Sequence, residues 1–213
     1  MSDFNPRPIV LEGRRVRLEP LASEHLEPLI RAGADPAIFR WHTARMDGPG
    51  AFRAWLDAAL ADQARGVALP FATVERRGGT VIGSTRFGNI DRPNLRVEIG
   101  WTWLTPAWQR TGANREAKSL MLRHAFESWG VRRVEFKAHA ANLQSRTALA
   151  RLGATEEGTL RKHVVMPDGS PRDSVYFSIL DDEWPAAKAT LEAQLGGLPD
   201  VVRPHPGGIA LGV

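Results

Sequence analysis

Residues 96 to 128 read RVEIGWTWLTPAWQRTGANREAKSLMLRHAFES and predict a strand, a turn and a helix in succession. β-Branched and aromatic residues over 97–104 favour a strand, which Pro106 ends. A helix opens near Asn114, because apolar residues recur from there at helical spacing. Gly112 lies in the turn between the two elements, where a residue without a Cβ lets the backbone turn tightly.

The helix after this turn directs its first N–H groups outward, without partners inside the helix. The positive end of the helix dipole adds to them, so the turn favours an anionic group such as a pyrophosphate. A Gln or Arg followed by Gly three residues later, as at Gln109 and Gly112, also occurs by chance about once in a chain of this length. An ordinary strand-to-helix turn is therefore the alternative interpretation.

The composition is that of a soluble globular protein, because 43% of the 213 residues are hydrophobic and 24% are charged. The length suits one domain with a sizeable core. The net charge of +4, from 28 Lys and Arg against 24 Asp and Glu, is too small to favour nucleic acid but suits an acidic ligand. The absence of cysteine excludes disulfides, thiol nucleophiles and Cys-based metal sites.

Two further patterns bear on location and metals. The N-terminal residues MSDFNPRPIV lack an apolar signal core, and no apolar run approaches the roughly 18 residues of a membrane span. We therefore expect a cytoplasmic protein without a membrane partner. The six histidines show no metal-ligand spacing, so we predict no catalytic metal.

The whole chain predicts an α/β fold, a mixed sheet with helices on both faces. We expect a single domain over 1–195 and a flexible C-terminal tail over 196–213, which is rich in Gly and Pro. The predicted elements around the central strand and helix are an extended arm over 1–13, strands over 14–18, 67–75, 80–87, 133–138, 158–165 and 174–180, and helices over 23–30, 51–65, 142–152 and 183–195.

Several sequence blocks follow one another along the chain. They are LEGR (11–14) with LEPL (18–21), WQRTGANREAK (108–118), RVEFK (133–137), NLQSR (142–146), LGA (152–154) with EG (157–158), and EWP (183–185). In this order, and over about residues 10 to 188, they resemble the GNAT superfamily of N-acetyltransferases. Within it the chain is similar to the branch of bacterial ribosomal-protein N-terminal acetyltransferases (RimJ/RimL-like).

This resemblance implies a GNAT fold, whose largely antiparallel mixed sheet has splayed central strands, and transfer of an acetyl group from acetyl-CoA to a primary amine. Backbone groups near Leu104 would contact the pantetheine arm where the strands splay. Asn114 stands where the family pattern has Gly or Ala, so helix–strand packing is expected to be looser there. The family's phosphate loop, which would bind the pyrophosphate, maps onto Gln109, Arg110, Thr111, Gly112, Ala113 and Asn114.

The resemblance also implies a carboxylate on the central strand that relays the proton of the amine through water. Glu98 fits this role, because strand alternation places it on one face with the small side chains of Gly100 and Thr102. Glu135 on the next strand is the rival candidate. The alternative is that Glu98 is only a solvated or salt-bridged strand residue.

The proton for the departing thiolate needs a second group. Many relatives use a tyrosine, but that position is Leu149 here. The ribosomal-protein branch has a serine three residues after the helix-capping asparagine, and Ser145 matches it. Ser145 is therefore either the acid or part of the helix cap. Asn142 is an N-cap, a coenzyme contact or both.

The sequence defines the residues that would bind the amine acceptor less well. Trp41, His42 and Arg45 lie on the loop that overhangs the acceptor site in this fold, although such tryptophans also serve only in packing. The acceptor could be a protein N-terminus, a polyamine, an amino acid or an antibiotic, and a homodimer is an open alternative to a monomer. A non-catalytic coenzyme-A-binding module on the same scaffold is the alternative function.

Overall fold

Nine strands form one sheet in the computed structural model, which describes residues 4–196 and 201–204. The strands are β1 (Ile9–Glu12), β2 (Val16–Pro20), β3 (Leu69–Glu75), β4 (Val81–Asp91), β5 (Arg96–Leu104), β6 (Arg133–His139), β7 (Thr155–Val165), β8 (Pro171–Leu180) and β9 (Val201–Pro204). The helices are α1 (Leu26–Ala32), α2 (Pro49–Ala64), α3 (Ala113–Arg123), α4 (Leu143–Arg151) and α5 (Trp184–Leu195).

The strand order is β7-β8-β6-β5-β4-β3-β2-β1-β9. Every neighbouring pair is antiparallel except β5 and β6, which run parallel. The predicted mixed, largely antiparallel sheet with helices on both faces is therefore confirmed. Within the described part of the chain, no helix is both long enough and apolar enough to cross a membrane.

Each end of the chain forms a strand where the sequence predicts none. The predicted N-terminal arm contains β1, which pairs with β2 around a turn at Gly13. Three backbone N–H groups of this turn, from Arg14, Arg15 and Val16, donate to the buried carboxylate of Glu116 in α3. At the other end, β9 pairs with β1 inside the predicted tail, and residues 197–200 and 205–213 lie outside the described residues.

Two apolar cores lie on opposite faces of the sheet. The larger one packs α3 and α5 against β4, β5, β6 and β8, with Phe87, Ile99 and Phe136 among its buried residues. The smaller one packs α1 and α2 against β3 and β5, with Leu29 and Trp103 buried in it. The parts of β6 and β8 on this second face carry polar side chains instead, including Glu135, Lys137, His139, Ser174, Tyr176 and Ser178.

A β-bulge at Trp101 interrupts the alternation of β5. Ser84 pairs with Trp103 and Arg86 with Gly100, so two residues of β5 oppose one of β4, and Trp101 has a φ of +50°. Thr102 therefore faces α3, and the prediction that it shares a face with Glu98 and Gly100 is wrong. Sequence periodicity could not show this, because tryptophan rarely takes a positive φ.

Candidate active site

A cleft opens between β5 and β6 at the centre of the sheet. The two strands pair at only three positions, Arg96 with Arg133, Val97 with Val134 and Glu98 with Glu135. Beyond these pairs β5 continues to Leu104 and β6 to His139. Unpaired edges of two adjacent strands leave backbone groups available to a ligand that enters between them.

The predicted phosphate loop (109–114) follows β5 and leads into the N-terminus of α3. Gly112 is the N-cap residue and has a φ of +92°, and Arg110 has a φ of +60°. The side chains of the loop make local bonds, since Thr111 Oγ1 donates to the carbonyl of Trp108 at 2.8 Å and Gln109 Nε2 to that of Leu104 at 3.1 Å. The loop is thereby held in shape while the first N–H groups of α3 stay outside the helix ladder.

The same turn contains one buried acceptor without a partner, Asn114 Oδ1. Buried polar atoms are nearly always hydrogen-bonded, so this oxygen suits a donor from a ligand. Arg15, held through its N–H by Glu116, lies beside Gly112, where an added Cβ would be 3.7 Å from its Nε. That distance is an ordinary contact, so the positive φ rather than lack of space requires glycine at this position.

Glu98 lies at the point where β5 and β6 separate. The residue is 4% exposed, and its Oε2 accepts from Asn89 Nδ2 at 2.6 Å and lies 2.8 Å from Lys137 Nζ. Burial lowers the pKa of Lys137, but the charge of Glu98 and the bond to it outweigh that effect, so the pKa is raised. The predicted base is thus an ion-paired carboxylate inside the cleft.

Glu135, the rival candidate, is also buried but bound differently. Its Oε1 accepts from Arg133 Nε at 2.8 Å and from Arg96 Nη1 at 3.1 Å. The hydrogen bond to Glu135 is the main cause that raises the pKa of Arg96. Both carboxylates thus belong to the last pair of the ladder, but two guanidinium groups from its closed end hold Glu135, whereas Glu98 is held by Lys137 and Asn89.

The start of α4 is capped by asparagine. Asn142 Oδ1 accepts from the backbone N–H of Ser145 at 3.0 Å, so the capping oxygen belongs to Asn142 and Ser145 takes part through its backbone. The half-buried Ser145 side chain makes no cap bond. Leu149, at the family's tyrosine position, is buried in the larger core. The roles of Asn142 and Ser145 towards a coenzyme remain predictions.

The loop between α1 and α2 covers the polar face of β6. The Trp41 ring packs against His139 at 4.5 Å between centroids, and His42 has a buried Nδ1 without a partner. Burial, and then the charges of Arg86 and Arg172, lower the pKa of His42 to about 4. The structure thus brings Trp41 and His42 to the cleft, whereas Arg45 pairs with Asp47 at 3.0 Å and its side chain is 74% exposed.

Lys118 is a buried group that the sequence did not single out. This residue of α3 is 5% exposed, and its Nζ donates to Thr102 Oγ1 at 2.6 Å and Thr85 Oγ1 at 3.3 Å. Burial lowers the pKa of Lys118 to about 7, against the opposing charge of Glu98. Helical periodicity alone could not reveal it, because a lysine beside an apolar stripe is usually solvent-exposed.

A cavity of about 600 Å³ adjoins the cleft on the face of Glu98 and Lys137. It is lined by the end of β4 and the start of the following turn (residues 89–93), together with Arg96, Glu135, Lys137 and Tyr176. The described residues contain no group of three or more His, Cys, Asp or Glu side chains placed to bind a metal ion.

Comparisons with known proteins agree with this arrangement. Residues 15–155 match the acetyltransferase (GNAT) domain family. The chain belongs to the GNAT acetyltransferases, which confirms the predicted superfamily and the prediction of an enzyme.

Three relatives illustrate the likeness. YdaF of Bacillus subtilis (strain 168), named as a ribosomal N-acetyltransferase, is 32% identical over 110 residues, which are 52% of this chain and 59% of YdaF. A GCN5-related N-acetyltransferase from Brucella melitensis is 35% identical, with a TM-score of 0.83 over 90% of this chain and 87% of that one. RimJ of Mycobacterium smegmatis, solved in complex with CoA-disulfide, shares the fold at a TM-score of 0.78 and 23% identity, over 94% of this chain and 100% of RimJ. The alignment thus spans less than two thirds of YdaF.

Proposed function

We propose that the protein transfers an acetyl group from acetyl-CoA to a primary amine. The observation that carries this proposal is the opening between β5 and β6, whose ladder stops at Glu98 and Glu135, together with the N-terminus of α3 at the end of β5. In this arrangement the pyrophosphate binds at the helix N-terminus, the pantetheine arm lies along β5, and the acetyl group reaches the cleft beside Glu98.

The acetyl transfer needs a neutral amine, and we assign its deprotonation to Glu98. A carboxylate that borders the opening can take the proton through a bound water, while Lys137 and Asn89 keep it in position. Attack of the amine on the thioester carbonyl forms a tetrahedral oxyanion, which backbone N–H groups of the separated strands stabilise. Collapse of this intermediate breaks the C–S bond, and the nitrogen releases to water the extra proton that it carries after the attack, so that the products are the neutral amide and the coenzyme thiolate.

The thiolate needs a proton, and Ser145 is the residue we assign to it. Its hydroxyl makes no cap bond, because Asn142 supplies the capping oxygen, and it is therefore available to a ligand. Trp41 and His42 form the wall of the acceptor side where the loop covers β6. We further propose that acceptors include peptide N-termini, since the relatives YdaF and the Escherichia coli ribosomal-protein-serine acetyltransferase are named for ribosomal acetylation.

Two measurements test the proposal. Acetyl-CoA at a hundredfold excess over its Kd should stabilise the folded protein by about 2.7 kcal/mol, seen as a rise in Tm. A panel of amines that includes peptides beginning with Ala, Ser and Met should then release free thiol from acetyl-CoA. No rise in Tm at millimolar acetyl-CoA would refute the coenzyme site, and a rise without thiol release for any amine would refute the transfer.

A further inference from the structure

Two buried arginines face the acceptor side of the cleft. Arg172 of β8 is 9% exposed, and its Nε donates to Ser174 Oγ at 3.1 Å. Arg86 of β4 is 4% exposed and lies between two indole rings, 5.4 Å from Trp55 and 5.2 Å from Trp101. Guanidinium groups are almost never this buried unless an anion accompanies them.

These groups belong to one region of the molecule. Ser174, which accepts from Arg172, pairs with His139 of β6, and the His139 ring packs against Trp41 beside His42. In agreement with this arrangement, the charges of Arg86 and Arg172 both lower the pKa of His42. Glu98 in turn acts on Arg172. The two guanidinium groups therefore lie around the loop residue His42, on the face of the sheet that carries Glu98.

The carboxylates near these arginines are already engaged. Glu98 is bound by Lys137 and Asn89, and Asp62, which lies 3.5 Å from Arg86, also pairs with Arg65. Among the residues that the structure describes, no carboxylate lies within ion-pair distance of Arg172. Arg86 Nε and His42 Nδ1 are likewise buried without a hydrogen-bond partner. The cleft wall thus has an excess of buried positive charge, one unused guanidinium donor at Arg86 Nε and one unused imidazole nitrogen at His42.

We infer that Arg172, assisted by Arg86 and His42, binds a carboxylate carried by the acceptor amine. A carboxylate fits because its two oxygens match the parallel N–H groups of a guanidinium. The ligand class is an amine with a nearby carboxylate, either the α-carboxylate of a free amino acid or an acidic side chain close to a peptide N-terminus. This inference rests on the proposed acetyl transfer, because it identifies the acceptor of the same cleft.

The test compares acceptors that differ only in the anion. Free amino acids are paired with their carboxamides, and amidated peptides beginning Ala-Glu or Ala-Asp are paired with Ala-Gln or Ala-Asn. The unaltered protein should favour the carboxylate member of one series by roughly 10- to 100-fold in kcat/KM, as a hydrogen-bonded charge is worth about 1.5–3 kcal/mol. The series that shows the preference identifies the source of the carboxylate. Equal rates within every pair overturn the inference.

Two variants locate the preference. Arg172→Gln should bring the ratio towards one, and Arg172→Lys should keep part of it, because the charge remains without the fork of donors. Arg161→Gln is the matched control, since Arg161 is an exposed arginine on the neighbouring strand β7, and it should keep the full ratio. A full ratio in Arg172→Gln, with an unchanged urea midpoint, overturns the assignment to Arg172.

Binding of products provides a readout that needs no turnover. With CoA present, an N-acetyl amino acid should raise the Tm of the protein more than the matching N-acetyl carboxamide does, and Arg172→Gln should remove the difference. If acetyl-CoA binds and no amine is acetylated, the proposed transfer fails, while the product comparison still decides whether the carboxylate site exists. The absence of a difference between the two products overturns the inference.

Discussion

Lys137 Nζ lies 2.8 Å from Glu98 Oε2, so an ion pair joins β6 to β5 at the point where their backbone ladder ends. The pair holds the carboxylate at the opening and prevents it from turning towards Arg96 or Arg133, which bind Glu135 instead. A base fixed in this way needs little reorganisation when the amine arrives. Because Glu98 and Glu135 have different partners, substitutions can test their roles one at a time.

Glu98→Gln should lower kcat by roughly 10²–10⁴-fold with little change in acetyl-CoA affinity, because the amide cannot accept the proton of the amine. The same change should lower the pKa of Lys137, since burial, which lowers it, then acts without the opposing charge of Glu98. Steady-state kinetics measure the first effect, and NMR titration of the Lys137 side chain measures the second.

Glu135→Gln is the matched control for this prediction. It removes a buried carboxylate of the same sheet face but leaves Glu98 and Lys137 in place, so kcat should change much less. A full rate in Glu98→Gln together with a lost rate in Glu135→Gln would assign the base to β6.

Asn142→Ala and Ser145→Ala should separate capping from catalysis at the start of α4. Loss of the Asn142 cap should cost about 1 kcal/mol of folding free energy, because Ser145 N–H loses its 3.0 Å partner. Ser145→Ala should cost far less stability and lower kcat, since its hydroxyl makes no cap bond. Urea unfolding and steady-state rates measure the two effects. Ser145→Ala at the wild-type rate would exclude it as the acid.

Gly112→Ala should weaken acetyl-CoA binding, because its φ of +92° is unfavourable for a residue with a Cβ and the loop must shift to relieve it. Gly79→Ala is the matched control, as Gly79 has a φ of +69° in the hairpin between β3 and β4. Both variants should lose roughly 1–2 kcal/mol of stability, but only Gly112→Ala should raise the Kd for acetyl-CoA by calorimetry. An equal Kd for both variants would contradict a role of this turn in binding.

Lys118 should make the stability of the fold depend on pH in the alkaline range. The folded protein releases the Lys118 proton at a pKa of about 7, whereas the unfolded chain keeps it up to the ordinary value of 10.5. Between these pH values the unfolded chain binds more protons, so the free energy of unfolding rises with pH by roughly 1.4 kcal/mol per unit from this group.

Lys118→Met removes that contribution and isolates it. The free energy of unfolding of the variant minus that of wild type should be greatest below pH 7 and should decrease steadily between pH 7 and 10. Loss of the bonds to Thr102 and Thr85 adds a cost that does not depend on pH. Urea unfolding of both proteins across this range measures the difference. A difference that does not vary with pH would show that Lys118 stays protonated in the fold.

The central strand, turn and helix were predictable because each depends on nearby residues. Alternation in β5 and the apolar repeat of α3 depend only on neighbours in the chain, and Gly112 marks the turn between them. The same alternation places Glu98 on the strand face opposite Val97 and Ile99, whereas its burial depends on neighbouring strands. Residue patterns therefore indicated the part of the cleft that lies before the bulge.

The remaining features depend on contacts between distant segments. The bulge at Trp101 depends on Gly88 of β4, where a Cβ would lie 2.4 Å from the Trp101 ring. Lys118 is buried because two strands supply threonine hydroxyls to it. Arg172 is buried in a fold whose α1–α2 loop brings His42 near it. Local sequence preferences do not encode contacts between distant segments. Periodicity alone therefore predicts that Lys118 and Arg172 are exposed to solvent.

The bulge at Trp101 divides β5 into two segments of opposite parity. Before it, the odd-numbered Ile99 joins the larger core; after it, the odd-numbered Trp103 joins the smaller core and the even-numbered Leu104 the larger one. Removal of one residue between Gly100 and Trp103 would restore regular alternation, so Trp103 and Leu104 would keep their cores but the bulge would be lost. A one-residue gap here in a related sequence would therefore indicate a central strand without the bulge, and with it a differently built cleft.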